Sequence, residues 1–299
     1  RASSKVFICL DNCWRQKNVF EVAYTFRIKK YKIHTNKIQN PDGVRFVLLA
    51  DQHGVSYGRD NCRLLDTIRD LQPDAVLAAG DMAVRTEPDT LVTACKLLTS
   101  LAEEFPVYYA LGNHEYKMSL DGEFQEYYRK YEKAVRKAGV HILRNTHEEV
   151  IICGDHFCFF GLELPIEYYH KPRSPKLYTE TIKELIGSPG TNGMQILLAH
   201  NPKYGKTYFK WGADMIVSGH YHGGVVRLSE HHGLSSPQYL VLPPFCCGDF
   251  HRGDQHMFVS AGMGEHTLPL RIHNPRELLV IDVKPSGKRN EETINGHIR

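Results

Sequence analysis

From residue 44 onward, short apolar runs alternate with amphipathic helical stretches, and this alternation constrains the fold more than any other feature of the chain. Arg45–Ala50, Ala75–Ala79 and Val107–Leu111 are nearly continuous apolar runs of strand length. Between them, Cys62, Leu64, Leu65, Ile68 and Leu71 fall near one face of a helix, with Asp60 or Asn61 as its cap. Leu91, Ala94, Cys95, Leu98, Leu101 and Ala102 form a second helical stripe. Phe124, Tyr127, Tyr128, Tyr131, Ala134, Val135 and Ala138 mark a longer helix stopped by Gly139. A strand without a polar side must be buried, so the pattern predicts a parallel or mixed sheet covered on both faces.

The second half is richer in strands. Val150–Cys153 and His156–Phe160 flank Gly154-Asp155, a hairpin signal. Thr179–Ile186 reads as a helix, and Gln195–Ala199 and Asp214–Ser218 as apolar strands around a short helical segment at Lys203–Trp211. Val225–Leu228, Gln238–Leu242, Met257–Ser260 and Glu277–Val283 read as further strands. The division expected is an N-terminal extension with one strand (1–43), a main domain (44–283) and a polar tail (284–299). In the extension, Val22, Tyr24, Phe26 and Ile28 alternate and Tyr31 and Ile33 resume after Lys29-Lys30, which predicts a strand with a slip or bulge. Its basic residues Arg27, Lys29, Lys30, Lys32 and Lys37 suit a solvated face, or contact with a membrane or anionic ligand.

Lys+Arg is 37 and Asp+Glu 34, giving a formal charge of +3, without the basic excess of a dedicated nucleic-acid binder. With 42% hydrophobic and 24% charged residues the chain is globular rather than disordered. Its 299 residues suit one large α/β domain or two small ones. No apolar run reaches the roughly 18 residues of a membrane span. The first residue is Arg1 rather than Met, so a removed signal or anchor is compatible with it. The 8 cysteines include no C-x-x-C pair. Cys62 and Cys95 on apolar helix faces read as reduced core thiols, leaning towards a reducing compartment.

The residues that follow the apolar runs carry the chemistry. Asp51-Gln52-His53 follows the first, Gly80-Asp81 the second and Gly112-Asn113-His114-Glu115 the third. His200-Asn201 follows Gln195–Ala199, and Gly219-His220-Tyr221-His222 follows Asp214–Ser218. Ligands bind at the carboxyl ends of strands in open α/β sheets, and parallel neighbours would bring these five ends to one rim. Asp51, His53, Asp81, Asn113, His200, His220 and His222 exceed what one tetrahedral ion needs. They suit two ions roughly 3.5–4 Å apart that share a carboxylate. Gly80, Gly112 and Gly219 would let the backbone turn sharply and approach the ions. Singly, an Asp after a strand is a common cap and a lone His a common structural residue; the ordered conjunction is what points to metal.

The order D-x-H, G-D, G-N-H-E, H, G-H-x-H resembles the calcineurin-like metallophosphoesterase superfamily over roughly residues 44–283. The segments DQHGVSYG from Asp51, YYALGNHEY from Tyr108, LLAHNP from Leu198, WGADMIVSGHYHGG from Trp211 and SAGMGEHTLPLRIHNP from Ser260 are similar to a bacterial branch often carrying an N-terminal membrane anchor. Gln52 departs from that branch's usual apolar residue and Tyr221 from its Thr or Leu, which bears on substrate preference rather than on ligation. The resemblance implies a four-layer α-β-β-α sandwich of two mixed sheets flanked by helices. It assigns Asp51, His53 and His222 to one metal and Asn113, His200 and His220 to the other, with Asp81 bridging. It also implies in-line attack of a metal-bound hydroxide on a phosphomonoester or phosphodiester. His114 would be the general acid or a cationic stabiliser of the leaving group, or a residue holding Asp51.

Mixed imidazole and oxygen ligation fits Mn, Fe, Zn, Co or Ni better than Ca, and family analogy favours Mn, with Fe or Zn as alternatives. The expected substrates are a small phosphate ester or a lipid-linked phosphate. Membrane-surface association is compatible with a cytoplasmic or membrane-associated protein, and nucleic acid is not expected. The rival readings are a non-catalytic metal-binding or protein-interaction scaffold on the same fold, and a nuclease of the same superfamily. His266 is balanced between a pocket residue and an ordinary loop histidine. Arg85 reads as a surface residue that could contact phosphate, and Cys246-Cys247 as part of a loop. Gly187–Gly193 lacks the Lys-Ser/Thr of a phosphate loop, and no G-x-S-x-G occurs.

Overall fold

The computed structural model describes residues 24–171, 173–265 and 270–286. Two six-stranded mixed sheets face each other. The first contains β1 (Arg27–Thr35), β2 (Val44–Leu49), β3 (Ala75–Ala78), β4 (Val107–Ala110), β5 (His141–Leu143) and β12 (Glu277–Pro285), in the spatial order β1-β12-β2-β3-β4-β5. The second contains β6 (Thr146–Ile152), β7 (Asp155–Leu162), β8 (Met194–Ala199), β9 (Met215–Ser218), β10 (Gly248–Arg252) and β11 (Gln255–Val259), in the order β10-β11-β9-β8-β7-β6. β2, β3, β4 and β5 are mutually parallel, as are β7, β8, β9 and β11.

The helices are α1 (Cys62–Leu71), α2 (Thr90–Ala102), α3 (Asn113–Leu120), α4 (Gln125–Lys137), α5 (Thr179–Ile186) and α6 (Gly205–Trp211). On β2, Phe46 and Leu48 face the second sheet, while Val47 and Leu49 face the helices that cover the first. Both sets are buried, which explains why the run has no polar alternation. Between the sheets, the Phe46 ring meets Phe157 edge-on at 5.6 Å, and Tyr108 stacks on Phe159 at 4.0 Å. Leu64, Ile68, Leu91, Leu98, Tyr128 and Val135 fill the outer core of the first sheet. Ile182, Ile186, Tyr208 and Trp211 do the same for the second. The layers are therefore α-β-β-α, as the resemblance implies.

Several local expectations are corrected. β1 pairs with β12 residue for residue from Arg27↔Glu277 to Thr35↔Pro285, without a bulge. The apolar side chains change face because Tyr24 and Phe26 precede β1, while within it Tyr31 and Ile33 stand at positions of opposite parity to the exposed Ile28. Tyr24 and Phe26 pack with the helix-side core, while Tyr31 and Ile33 pack between the sheets. The β6–β7 hairpin turns on Cys153-Gly154 rather than on Gly154-Asp155. Both turn residues have positive φ (52° and 86°), as a two-residue type I′ turn requires. Val225–Leu228 and Gln238–Leu242 are loops that form only isolated bridges, with Leu228, Tyr239, Val241 and Leu242 turned outward.

Asn61 precedes α1 in a left-handed conformation and makes no side-chain cap bond. Its Oδ1 instead accepts the Tyr57 N–H at 3.0 Å. Cys62 is exposed, unlike Cys95, although both are free thiols. The G-N-H-E segment begins a helix, α3, that the sequence pattern did not foretell, and β5 and β10 were also missed. No described helix is long and apolar enough to cross a membrane.

Candidate metal centre

Each candidate ligand leaves the carboxyl end of a strand, but the five strands belong to two sheets. β2, β3 and β4 supply Asp51, His53, Asp81 and Asn113; β8 and β9 supply His200, His220 and His222. The backbone ladder continues past β2 and β3, with Asp51 N–H donating to Gly80 O (2.9 Å) and His53 N–H to Asp81 O (3.1 Å). Asp51, His53, Asp81, His220 and His222 all have positive φ, between 48° and 69°. Such conformations cost about 1–3 kcal/mol each in a non-glycine residue and concentrate at functional sites.

The ligand atoms converge in three overlapping groups: Asp51, His53 and His222; Asp81, His200 and His220; and His53, Asp81 and His114, each with its atoms within 4.8 Å of one another. His53 Nε2 and His222 Nε2 are 3.1 Å apart, and His222 Nε2 lies 3.6 Å from Asp51 Oδ1. Asp81 Oδ2 lies 2.9 Å from His200 Nε2 and 3.9 Å from His53 Nε2, so one carboxylate reaches both sides of the cluster. Asn113 Oδ1 is buried at the start of α3 without a hydrogen-bond partner. A buried amide oxygen left so is costly unless a cation takes it. Donor type, convergence and this orphaned oxygen fit a pair of divalent cations.

Neighbouring groups orient the donors. His200 Nδ1 lies 2.7 Å from the Ala79 carbonyl, which can only accept, so Nδ1 carries a proton and Nε2 is the atom turned to the cluster. The Asp51 carboxylate accepts the His220 N–H, 2.9 Å from each oxygen. Asp81 Oδ1 accepts the His114 N–H at 2.8 Å. The Arg85 N–H donates to His114 Nδ1 at 2.9 Å, so a neutral His114 carries its proton on Nε2. No hydrogen bond joins His114 to Asp51 among the described residues.

Burial is the largest influence on every charge here. It pushes the Asp51 carboxyl up to about 7, with Asp81 adding to the rise. It acts the same way on Asp81, but His200, His114 and His53 outweigh it and hold that carboxyl well below the ordinary range. His200 is raised to about 9 because Asp81 overcomes the cost of burial. Burial lowers His114, against the pull of Asp81.

The glycines act more through space than through turning. Gly80 has a φ of +89°, but Gly112 and Gly219 do not need the left-handed region. A Cβ on Gly219 would lie 2.6 Å from Asp51 Oδ2, and one on Gly112 would strike the Asp81 carboxylate.

Some residues near the site had no role in the sequence reading. Glu115 is buried and accepts the N–H groups of Asp81 (3.0 Å), Ala83 (3.0 Å) and Gly112 (3.1 Å), tying the two strand-end loops together. The signal was its place in G-N-H-E, one residue beyond His114, but nothing local says that it faces inward. Arg271 donates to Ala261 O (2.9 Å) and Gly264 O (2.6 Å), and Asn274 Nδ2 donates to His222 O at 2.6 Å.

Gln52 is buried and donates to Val55 O at 2.9 Å. The Arg85 side chain pairs with Asp121 at 2.6 Å. Cys246 and Cys247 pack with Tyr221 and Ala261 and belong to none of the three ligand groups. His266 lies outside the described residues.

The family model described as calcineurin-like phosphoesterase matches residues 44–224, more than half of the chain. An uncharacterized metallophosphoesterase of Aquifex aeolicus is 25% identical over 89% of this chain and 94% of its own length. Uncharacterized metallophosphoesterases of Bacillus subtilis (23%, covering 81% of this chain and 80% of that protein) and Campylobacter jejuni (25%, 81% and 59%) are also similar. The Campylobacter protein thus extends well beyond the part this chain matches.

Proposed function

The chain belongs to the calcineurin-like phosphoesterase family, and on that premise we propose that it is a metal-dependent hydrolase of phosphomonoesters or phosphodiesters. The observation that carries the reading is the presence of Asp81 in two of the three ligand groups, between His200 on one side and His53 on the other. Asp51, His53 and His222 would hold one divalent cation and Asn113, His200 and His220 a second, with Asp81 shared; manganese is the proposed metal. Such a pair supplies positive charge to a phosphoryl group and acidifies water near neutral pH.

The chain's own residues do the rest. Asp81 and Asp51, held by the N–H groups of His114 and His220, keep the donor atoms in place. His114, with its proton on Nε2, donates to the departing ester oxygen, so that one water is consumed and an alcohol and a phosphate leave.

The surroundings favour an ester with an apolar moiety, such as a lipid-linked phosphate. Seven of the twelve exposed large apolar side chains among the described residues (Leu228, Leu234, Tyr239, Val241, Leu242, Leu270, Ile272) belong to two loops, bridged at Val226↔Ile272. These loops adjoin the site, since Asn201 beside His200 donates to Gln238 Oε1 at 3.3 Å. The test is a screen of mono- and diesters with short and long alkyl groups on metal-reconstituted protein, paired with elemental analysis. Hydrolysis that needs two equivalents of metal supports the reading; full metal loading without hydrolysis of any ester rejects it.

A further inference from the structure

Lys117 lies one turn along α3 from Asn113 and three residues after His114, so it shares the helix face that reaches the metal centre. With Arg85, Leu120, Asp121 and Ile166 it lines a cavity of about 270 Å³. Arg85 is spoken for by Asp121 at 2.6 Å. Lys117 is half-buried, and its ammonium has no hydrogen bond or ion pair among the described residues. The Arg85 N–H also holds His114 Nδ1, so the cavity wall and the proton donor share one residue.

A partly desolvated ammonium without a partner is unfavourable, and folded chains pair such groups unless a ligand does so. Burial holds the Lys117 pKa below the ordinary lysine value; the Asp81 charge opposes this, while Arg85 and Lys171 add to it by repulsion. Lys171, which also has no ion pair among the described residues, sits over the exposed Tyr239 ring at 5.1 Å. The positive charge next to the site therefore exceeds what Asp121 neutralises.

We infer that Lys117, beside the Arg85–Asp121 pair, forms a receiving site for a second phosphoryl group on the substrate, adjoining the one held at the metal centre. The preferred ester would then carry a diphosphate or a neighbouring phosphate rather than an isolated one. This rests on the phosphoester reading above, but its test does not need turnover.

The test is calorimetric binding of inorganic phosphate, pyrophosphate and tripolyphosphate to the metal-loaded protein and to its Lys117→Gln variant. A charged hydrogen bond predicts that a condensed phosphate binds about ten-fold or more tightly than phosphate to the unaltered chain. Lys117→Gln should remove most of that preference and leave phosphate affinity within about two-fold. Equal weakening of all three anions, or none, overturns the inference. Lys117→Met provides a second readout: its Tm without anion should match or exceed that of the unaltered chain, and pyrophosphate should raise it less. A marked fall in Tm would make Lys117 a structural residue and overturn the proposal. A Lys117-dependent preference without hydrolysis of any ester would leave this site standing while the hydrolase reading falls; hydrolysis without the preference would do the reverse.

Discussion

Asp51 at the end of β2 accepts the backbone N–H of His220, 169 residues later at the end of β9, with 2.9 Å to each carboxylate oxygen. This bond fastens one sheet to the other at the centre of the ligand cluster. Gly219→Ala should disturb it, because the new Cβ would lie 2.6 Å from Asp51 Oδ2. The expected outcome is a loss of about ten- to hundred-fold in metal affinity, with about 1–3 kcal/mol lost from stability. Metal titration beside chemical denaturation measures both, and unchanged affinity would mean that the Asp51 position does not matter.

Glu115 receives three backbone N–H groups from the loops after β3 and β4. Glu115→Gln keeps the shape but turns an NH₂ towards donors. It should cost about 1–3 kcal/mol, read as a lower denaturation midpoint, and weaken metal retention through the displaced Asp81. A variant as stable as the parent would show that the carboxylate is dispensable.

His114→Ala should lower kcat by about 10²–10⁴-fold for esters with poor leaving groups and much less for a nitrophenyl ester, whose oxygen needs no proton. Metal content should stay at two equivalents. An equal loss on both kinds of ester would place His114 in positioning rather than proton donation.

The metal-free chain should lose stability as pH rises. His200 is raised from about 6.5 to about 9 in the fold, so its contribution is complete below about 6.5 and is lost as pH rises through about 9. Asp51, raised to about 7 by burial, adds a loss between about 4 and 7. Over the same range cation affinity should strengthen, because a cation must displace the His200 proton. Melting of the chelator-treated protein from pH 6 to 9.5, beside metal titrations, checks both directions; a flat profile would contradict the His200–Asp81 pairing.

Much of the frame was legible because it is local. Phe46, Val47, Leu48 and Leu49 announce a strand buried on both faces, and Thr179–Ile186 matches its helix residue for residue. Val225–Leu228 and Gln238–Leu242 misled because apolar residues make strands only where a neighbouring edge accepts them; here only isolated bridges form, and Leu228, Tyr239, Val241 and Leu242 are turned outward. The helix at Asn113 was hidden because its buried residues, Asn113, Glu115 and Met118, do not form an apolar stripe.

By itself the sequence determined that the candidate ligands each follow an apolar strand, since residue type and unbroken apolar runs are written along a few consecutive positions. The tertiary structure alone decided which of those strand ends belong to which of the two facing sheets. It also decided that His200 points Nε2 at Asp81, that Glu115 turns inward to hold two loops, and that the Lys117 ammonium has no partner among the described residues. Those facts depend on contacts between segments far apart in the chain, and the packing of one sheet against the other, not any local preference, selects them.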